Sequence, residues 1–148
     1  AGQLSNSDMA EIRHNSKLLK AEFGSSTYAQ FAALMVARVE VQEGDLTAAA
    51  AELQWVLTQE GDAEVNALAT VRLAKVLSAQ GQHNEALALL VDGDDAWQLG
   101  RLETRGDVLV AQGDVDAARE AYTAASVLAA AGGVNSPLLG LKLDNLAQ

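Results

Sequence analysis

The sequence predicts an all-α chain built as a right-handed helical solenoid, and three observations carry that reading. Alanine and leucine, which head the helix-propensity scale, number 29 and 22 of the 148 residues, whereas aromatics make up 4% and proline occurs once. Glycine recurs at Gly44, Gly81 and Gly113, at spacings of 37 and 32 residues. Around each glycine the same residue classes return at fixed offsets. A small residue lies seven before it (Ala37, Ala74, Gly106), an alanine five after it (Ala49, Ala86, Ala118) and a large residue nine after it (Leu53, Leu90, Tyr122).

The elements follow in order from local signals. A first helix is predicted over 5–22, and Ser25-Ser26 separates it from a second over 27–43. Gly44 ends that helix in the left-handed conformation that costs a residue with a Cβ most, and Asp45 caps the next, over 46–59. Gly61-Asp62 opens a helix over 63–80, which Gly81 closes. The helix over 83–91 is short, because Gly93 falls where it should still run. Asp92-Gly93-Asp94 leads into 96–112, Gly113-Asp114 into 115–130, and Gly132-Gly133 into 137–146, where Pro137 suits the first turn. The small residues belong where paired helices cross, and the large ones in the layer between successive pairs. A period close to the roughly 34 residues of tetratricopeptide repeats makes this about three helix pairs of that kind, closed by terminal capping helices. Residues 1–26 then form an N-terminal capping helix, and residues 27–148 the repeat domain with its C-terminal cap.

Composition excludes several function classes. The 20 acidic and 10 basic residues give a formal charge of −10, unsuited to a nucleic-acid partner and repelled by anionic headgroups. There is no cysteine, hence no disulfide, thiolate nucleophile or zinc finger. No apolar run approaches the roughly 20 residues of a bilayer span.

At this point the residues resemble a specific family. Tyr28–Leu57, Val71–Leu90, Trp97–Tyr122 and the ending Leu141–Leu146 are similar to the YfgM family, ancillary subunits of the bacterial SecYEG translocon. The most specific elements are Arg72–Val76, the turn Asp94–Trp97, Arg105–Asp107 and the LKLDNL ending. The resemblance covers residues 15–148. It implies a single-pass protein of the bacterial inner membrane, with this domain in the periplasm and the family's N-terminal membrane helix absent from this sequence. Implied partners are the translocon, a membrane-anchored prolyl-isomerase-like periplasmic chaperone, and unfolded secreted chains to be held or handed over. The competing reading is a scaffold of the same fold serving another envelope or cytosolic assembly.

Catalytic and ligand constellations are weak beside this. His14 and His83 lie far apart among polar neighbours, without metal-ligand spacing. Asp92-Gly93-Asp94-Asp95 lacks the alternating ligands of a calcium loop and reads as a turn capping the helix of Trp97. There is no nucleophile elbow and no phosphate loop, and no acidic pair stands out for glycoside hydrolysis; the expectation is a non-enzyme without metal or cofactor. Arg105-Gly106-Asp107 falls inside a helix at the small-residue crossing, where packing accounts for its glycine. Trp55 and Trp97 are expected in the core rather than in a binding cage with Tyr122. A buried Trp97 would cost on the order of 3–5 kcal/mol when changed to alanine.

The first helices of each pair line the concave surface in such stacks. One face carries Phe31, Leu34 and Arg38, and the equivalent offsets in the next pair give Leu68, Val71 and Lys75. Apolar residues followed by a base suit an apolar chain bearing a carboxylate. The third pair breaks the series with Gly100, Glu103 and Asp107. The alternative is that Phe31, Leu34, Leu68 and Val71 bury against the N-terminal helix.

Overall fold

The computed structural model describes residues 3–24 and 26–148. Regular structure among them is helical throughout: α1 (Asn6–Phe23), α2 (Thr27–Glu43), α3 (Leu46–Thr58), α4 (Ala63–Ala79), α5 (His83–Leu89), α6 (Gln98–Gln112), α7 (Val115–Ala131) and α8 (Pro137–Leu146). Every expected helix is present. The boundaries that moved did so for capping reasons. Ser5 lies outside α1 as its cap, with Oγ accepting from the Asp8 N–H at 3.1 Å while the Asp8 carboxylate accepts from the Ser5 N–H at 3.2 Å. Helix α6 starts at Gln98 because Asp95 Oδ1 takes the Trp97 N–H at 3.0 Å, holding the chain in a turn up to that point. Of the Ser25-Ser26 break, Ser25 lies outside the described residues, and Ser26 Oγ caps α2 by accepting from the Ala29 N–H at 3.1 Å.

The chain forms two compact units, one up to Gln80 and one from Gly81 to Gln148. In the first, α1 packs on α2, α2 on α3 and α3 on α4, and α2 also meets α4. In the second, α5 packs on α6, α6 on α7 and α7 on α8.

Each repeat glycine is left-handed, with φ of 83° at Gly44, 82° at Gly81 and 92° at Gly113. At the first and third, a Gly-Asp pair serves two helices. The Asp45 N–H bonds back to the Glu40 carbonyl at 2.8 Å, and the Asp114 N–H to that of Leu109 at 2.9 Å, closing α2 and α6. The same aspartates then cap the following helices, accepting from the Ala48 N–H at 3.0 Å and the Ala117 N–H at 3.1 Å. The other repeat positions are all buried: Ala37, Ala74 and Gly106, Ala49, Ala86 and Ala118, Leu53, Leu90 and Tyr122.

The third repeat shows why the small position is small. A Cβ on Gly106 would lie 2.2 Å from Tyr122 Cε1, so the α7 tyrosine ring rests on the α6 backbone. Tyr122 therefore packs within its own pair, and not only in the layer beyond it. It also joins Leu102, Ala125 and Leu139 of α8 in one cluster, and its hydroxyl donates to Asp107 Oδ1 at 2.6 Å. Burial first, and then that bond to a carboxylate, hold the phenol pKa above its ordinary value.

Ionic contacts fasten the outer helices of both units. Only Met9 and Ser16 of α1 are buried, and α1 is tied down by Arg13, which pairs with Glu40 at 2.8 Å and also with Glu43, and by Lys20, which pairs with Glu52. In the second unit Lys142 of α8 bridges Glu103 and Asp107 of α6, each at 2.9 Å.

Two glycines of α6 separate packing from propensity. Gly106→Ala should lower stability by about 1–3 kcal/mol, because the added methyl has only the tyrosine ring to displace. Gly100→Ala, with open space around its Cβ position, should raise it by about 0.5–1 kcal/mol. Urea unfolding of the two variants checks both signs.

Candidate functional site

Three helices of the first unit enclose a groove of about 320 Å³. It runs along the C-terminal halves of α2 and α4 and is closed by α3. Its floor is Ala37, Leu53 and Val76, all buried; Val41, Leu46 and Ala79 form apolar walls. Arg38, Arg72 and Lys75 complete the lining.

None of these three cations has a carboxylate partner among the described residues. Of the ten lysines and arginines, six form ion pairs: Arg13, Lys20, Arg101, Arg105, Arg119 and Lys142. The other four, Lys17, Arg38, Arg72 and Lys75, have no ion-pair partner among the described residues, and three of those four line one groove. A chain with twice as many acids as bases has carboxylates to spare, yet places none of them here.

The residues expected from the offsets divide. Arg38 and Lys75 come together in this lining. Phe31 and Leu68 lie nearer the N-termini of α2 and α4, outside the cavity, with 51% and 39% of their surface exposed. Val71 is half-buried and Leu34 is in the core. Helix α1 leaves Phe31 and Leu68 open, because its ionic contacts with α2 reach Glu40 and Glu43, on another face. Arg72 and the walls Val41, Leu46 and Ala79 were not anticipated. A signal for Arg72 was present: it precedes Lys75 by three residues on one helix, and so shares its face.

The remaining candidates are engaged in structure. Among the described residues, no three His, Asp or Glu side chains gather as metal ligands do. In the 92–95 turn, Asp92 accepts from Gln98 Nε2 at 2.9 Å and pairs with Arg105 at 2.9 Å, and Asp95 pairs with Arg101 at 2.7 Å. Gln98, followed by Arg105, holds the Asp92 carboxyl below its ordinary pKa, and Arg101 does the same for Asp95. Arg105, Gly106 and Asp107 are likewise occupied within the second unit, by Asp92, Tyr122 and Lys142. The expectation of core tryptophans is corrected: both are half-buried. Trp97 stands at the N-terminal edge of α6 rather than in its packed face, and Trp55 lies beneath Lys20, whose Nζ is 4.5 Å from the ring centre.

Residues 1–148 match the family model described as a tetratricopeptide repeat-like domain. Relatives bearing the name ancillary SecYEG translocon subunit are similar over most of the chain. The Neisseria gonorrhoeae protein is 35% identical over 140 residues, covering 93% of this chain and 66% of that protein. The Escherichia coli protein is 32% identical over 124 residues, and the Aggregatibacter actinomycetemcomitans protein 30% over 122; each alignment covers 82% of this chain and 59% of the relative. The chain thus spans about three fifths to two thirds of the length of these relatives.

Burial predicts the order of two substitutions. Leu53→Ala, which empties the groove floor, should cost about 2–5 kcal/mol. Trp97→Ala should cost less than the roughly 3–5 kcal/mol of a fully enclosed tryptophan. Thermal melts of the two variants, compared at equal concentration, test that ranking.

Proposed function

From the premise that this chain belongs to the tetratricopeptide repeat-like domain family, we propose that it is a non-catalytic interaction domain of an ancillary SecYEG translocon subunit. In this reading it works on the periplasmic face of the bacterial inner membrane, where it holds a peptide segment of a partner in the α2–α4 groove. The partners are the translocon, a membrane-anchored prolyl-isomerase-like chaperone and newly translocated chains passed between them. Among the described residues no helix is long and apolar enough to cross a membrane. The names of the relatives support the translocon; they bear on no surface of this chain.

The observation that carries the reading is the groove with its three unanswered cations. Six of the ten cations here find a carboxylate, and of the four that do not, all but Lys17 line this groove. Cations kept unpaired beside an apolar floor retain both terms of binding, apolar burial and charge complementarity, for an external group. The mechanism is passive: a preformed surface captures a segment and releases it, with no bond made or broken.

Reversing two charges tests this. Arg38→Glu with Lys75→Glu should leave the melting temperature within about 2 °C of the parent, since no internal ion pair is lost. Recovery of translocon subunits, chaperone or secreted chains in affinity purification from detergent-solubilised membranes should fall. Unchanged recovery of all three, with the variant folded, contradicts the groove assignment.

A further inference from the structure

The groove also carries information about which peptides it takes. Resting on the reading of it as a peptide site, we infer that it selects by charge: it accepts a segment in which one or two aliphatic side chains are flanked by aspartate or glutamate, and it rejects the same segment flanked by lysine.

Three features of the site lead there. At about 320 Å³ the groove is at the small end of ligand pockets, which span about 300–1,000 Å³, so it suits a few side chains rather than a whole helix. Its floor of Ala37, Leu53 and Val76 offers no hydrogen-bonding side chain, so what sits deepest is aliphatic. Every charged group that lines it is positive. Neither α2 nor α4 has a basic residue in its last turn, so Arg38, Arg72 and Lys75 are not there to offset the negative ends of their helices. Arg72 and Lys75 share one face of α4, and Arg38 stands on α2. Positive charge spread over both helices matches carboxylates carried along a passing chain, rather than one chain terminus held at a point. The selectivity has a consequence for secreted clients: stretches rich in lysine or arginine are repelled, and acidic-aliphatic stretches are retained.

The test uses the 148-residue chain and three fluorescein-labelled peptides blocked at both ends, each with two leucines flanked on either side by two aspartates, two asparagines or two lysines. Fluorescence anisotropy should show the aspartate peptide binding best, the asparagine peptide at least about fivefold weaker and the lysine peptide not at all. Affinity for the aspartate peptide should drop severalfold between about 0.05 and about 0.5 M salt, as the screening length shortens. Combined Arg38→Glu, Arg72→Glu and Lys75→Glu should invert the order, so that the lysine peptide binds. If that variant does not fold, Arg38→Gln, Arg72→Gln and Lys75→Gln, made singly, should each weaken the aspartate peptide alone. Equal affinity for all three peptides overturns charge selection while leaving a peptide groove. An asparagine peptide with a free C-terminus that binds as tightly as the blocked aspartate peptide overturns the assignment to side-chain carboxylates. Failure of all three peptides, together with failure of a denatured secreted protein as probe, overturns the peptide-site reading itself.

Discussion

A helix that ends on a left-handed glycine has to reverse within a residue or two, and its partner must begin before the chain has travelled away. In this protein Gly44-Asp45 and Gly113-Asp114 impose that constraint chemically. The glycine adopts φ above 80°, the aspartate N–H closes the finished helix, and the aspartate side chain opens the next. Two helices joined this tightly lie against each other along their length, so the residues facing across the crossing must be small. Ala37 and Gly106 answer that demand, and Gly106 does so with no room left for a methyl group beside Tyr122. The buried alanines, the large layer residues and the groove formed where α2 meets α4 all follow from this turn.

Ionic residues then divide into two sets with different work. Those on the outer helices fasten structure: Arg13 and Lys20 tie α1 to Glu40 and Glu52, and Lys142 ties α8 to Glu103 and Asp107. Burial alone would depress the Lys142 pKa, but its bonds to Asp107 and Glu103 outweigh that and raise it, so α8 holds its charge across the physiological range. Such part-exposed pairs are each worth on the order of 1 kcal/mol or less, so they orient helices more than they stabilise the fold. The second set, Arg38, Arg72 and Lys75, fastens nothing internal. That division, rather than the net charge, gives the acidic chain a recess along α2 and α4 whose charged lining is wholly positive.

The fold was legible because its determinants are local. A glycine needing φ > 0, an aspartate cap and a small crossing residue leave their mark at fixed spacings, and with the Ser, Gly-Asp and Pro punctuation between repeats they placed the helices of the described residues. Arg38 and Lys75 were legible by the same offset logic. The burial of Leu34 was legible only as the alternative to a groove position, since α2 meets both α3 and α4, and the limits of its buried stripe depend on angles that no single helix encodes. Arg72 was overlooked because an offset of 37 residues pairs it with Met35, an apolar residue, and so hides it from a search for matching bases. Trp97 was expected in the core from its spacing in the repeat, whereas its position at the start of α6, held by the Asp95 turn, sets it at the edge. The charge balance of the groove was invisible for a further reason: which cations lack a carboxylate is a property of the packed chain alone.

The central claim is that partners of this domain meet it at the α2–α4 groove. The most direct measurement places a photo-crosslinking amino acid at Val41, on the groove wall, or at Val127, on the exposed face of α7, and irradiates intact cells before partners are identified by mass spectrometry. The account predicts adducts with translocon, chaperone or secreted chains from position 41 and far fewer from position 127. Adducts from position 127 with none from position 41, in a protein shown to be folded, would contradict it.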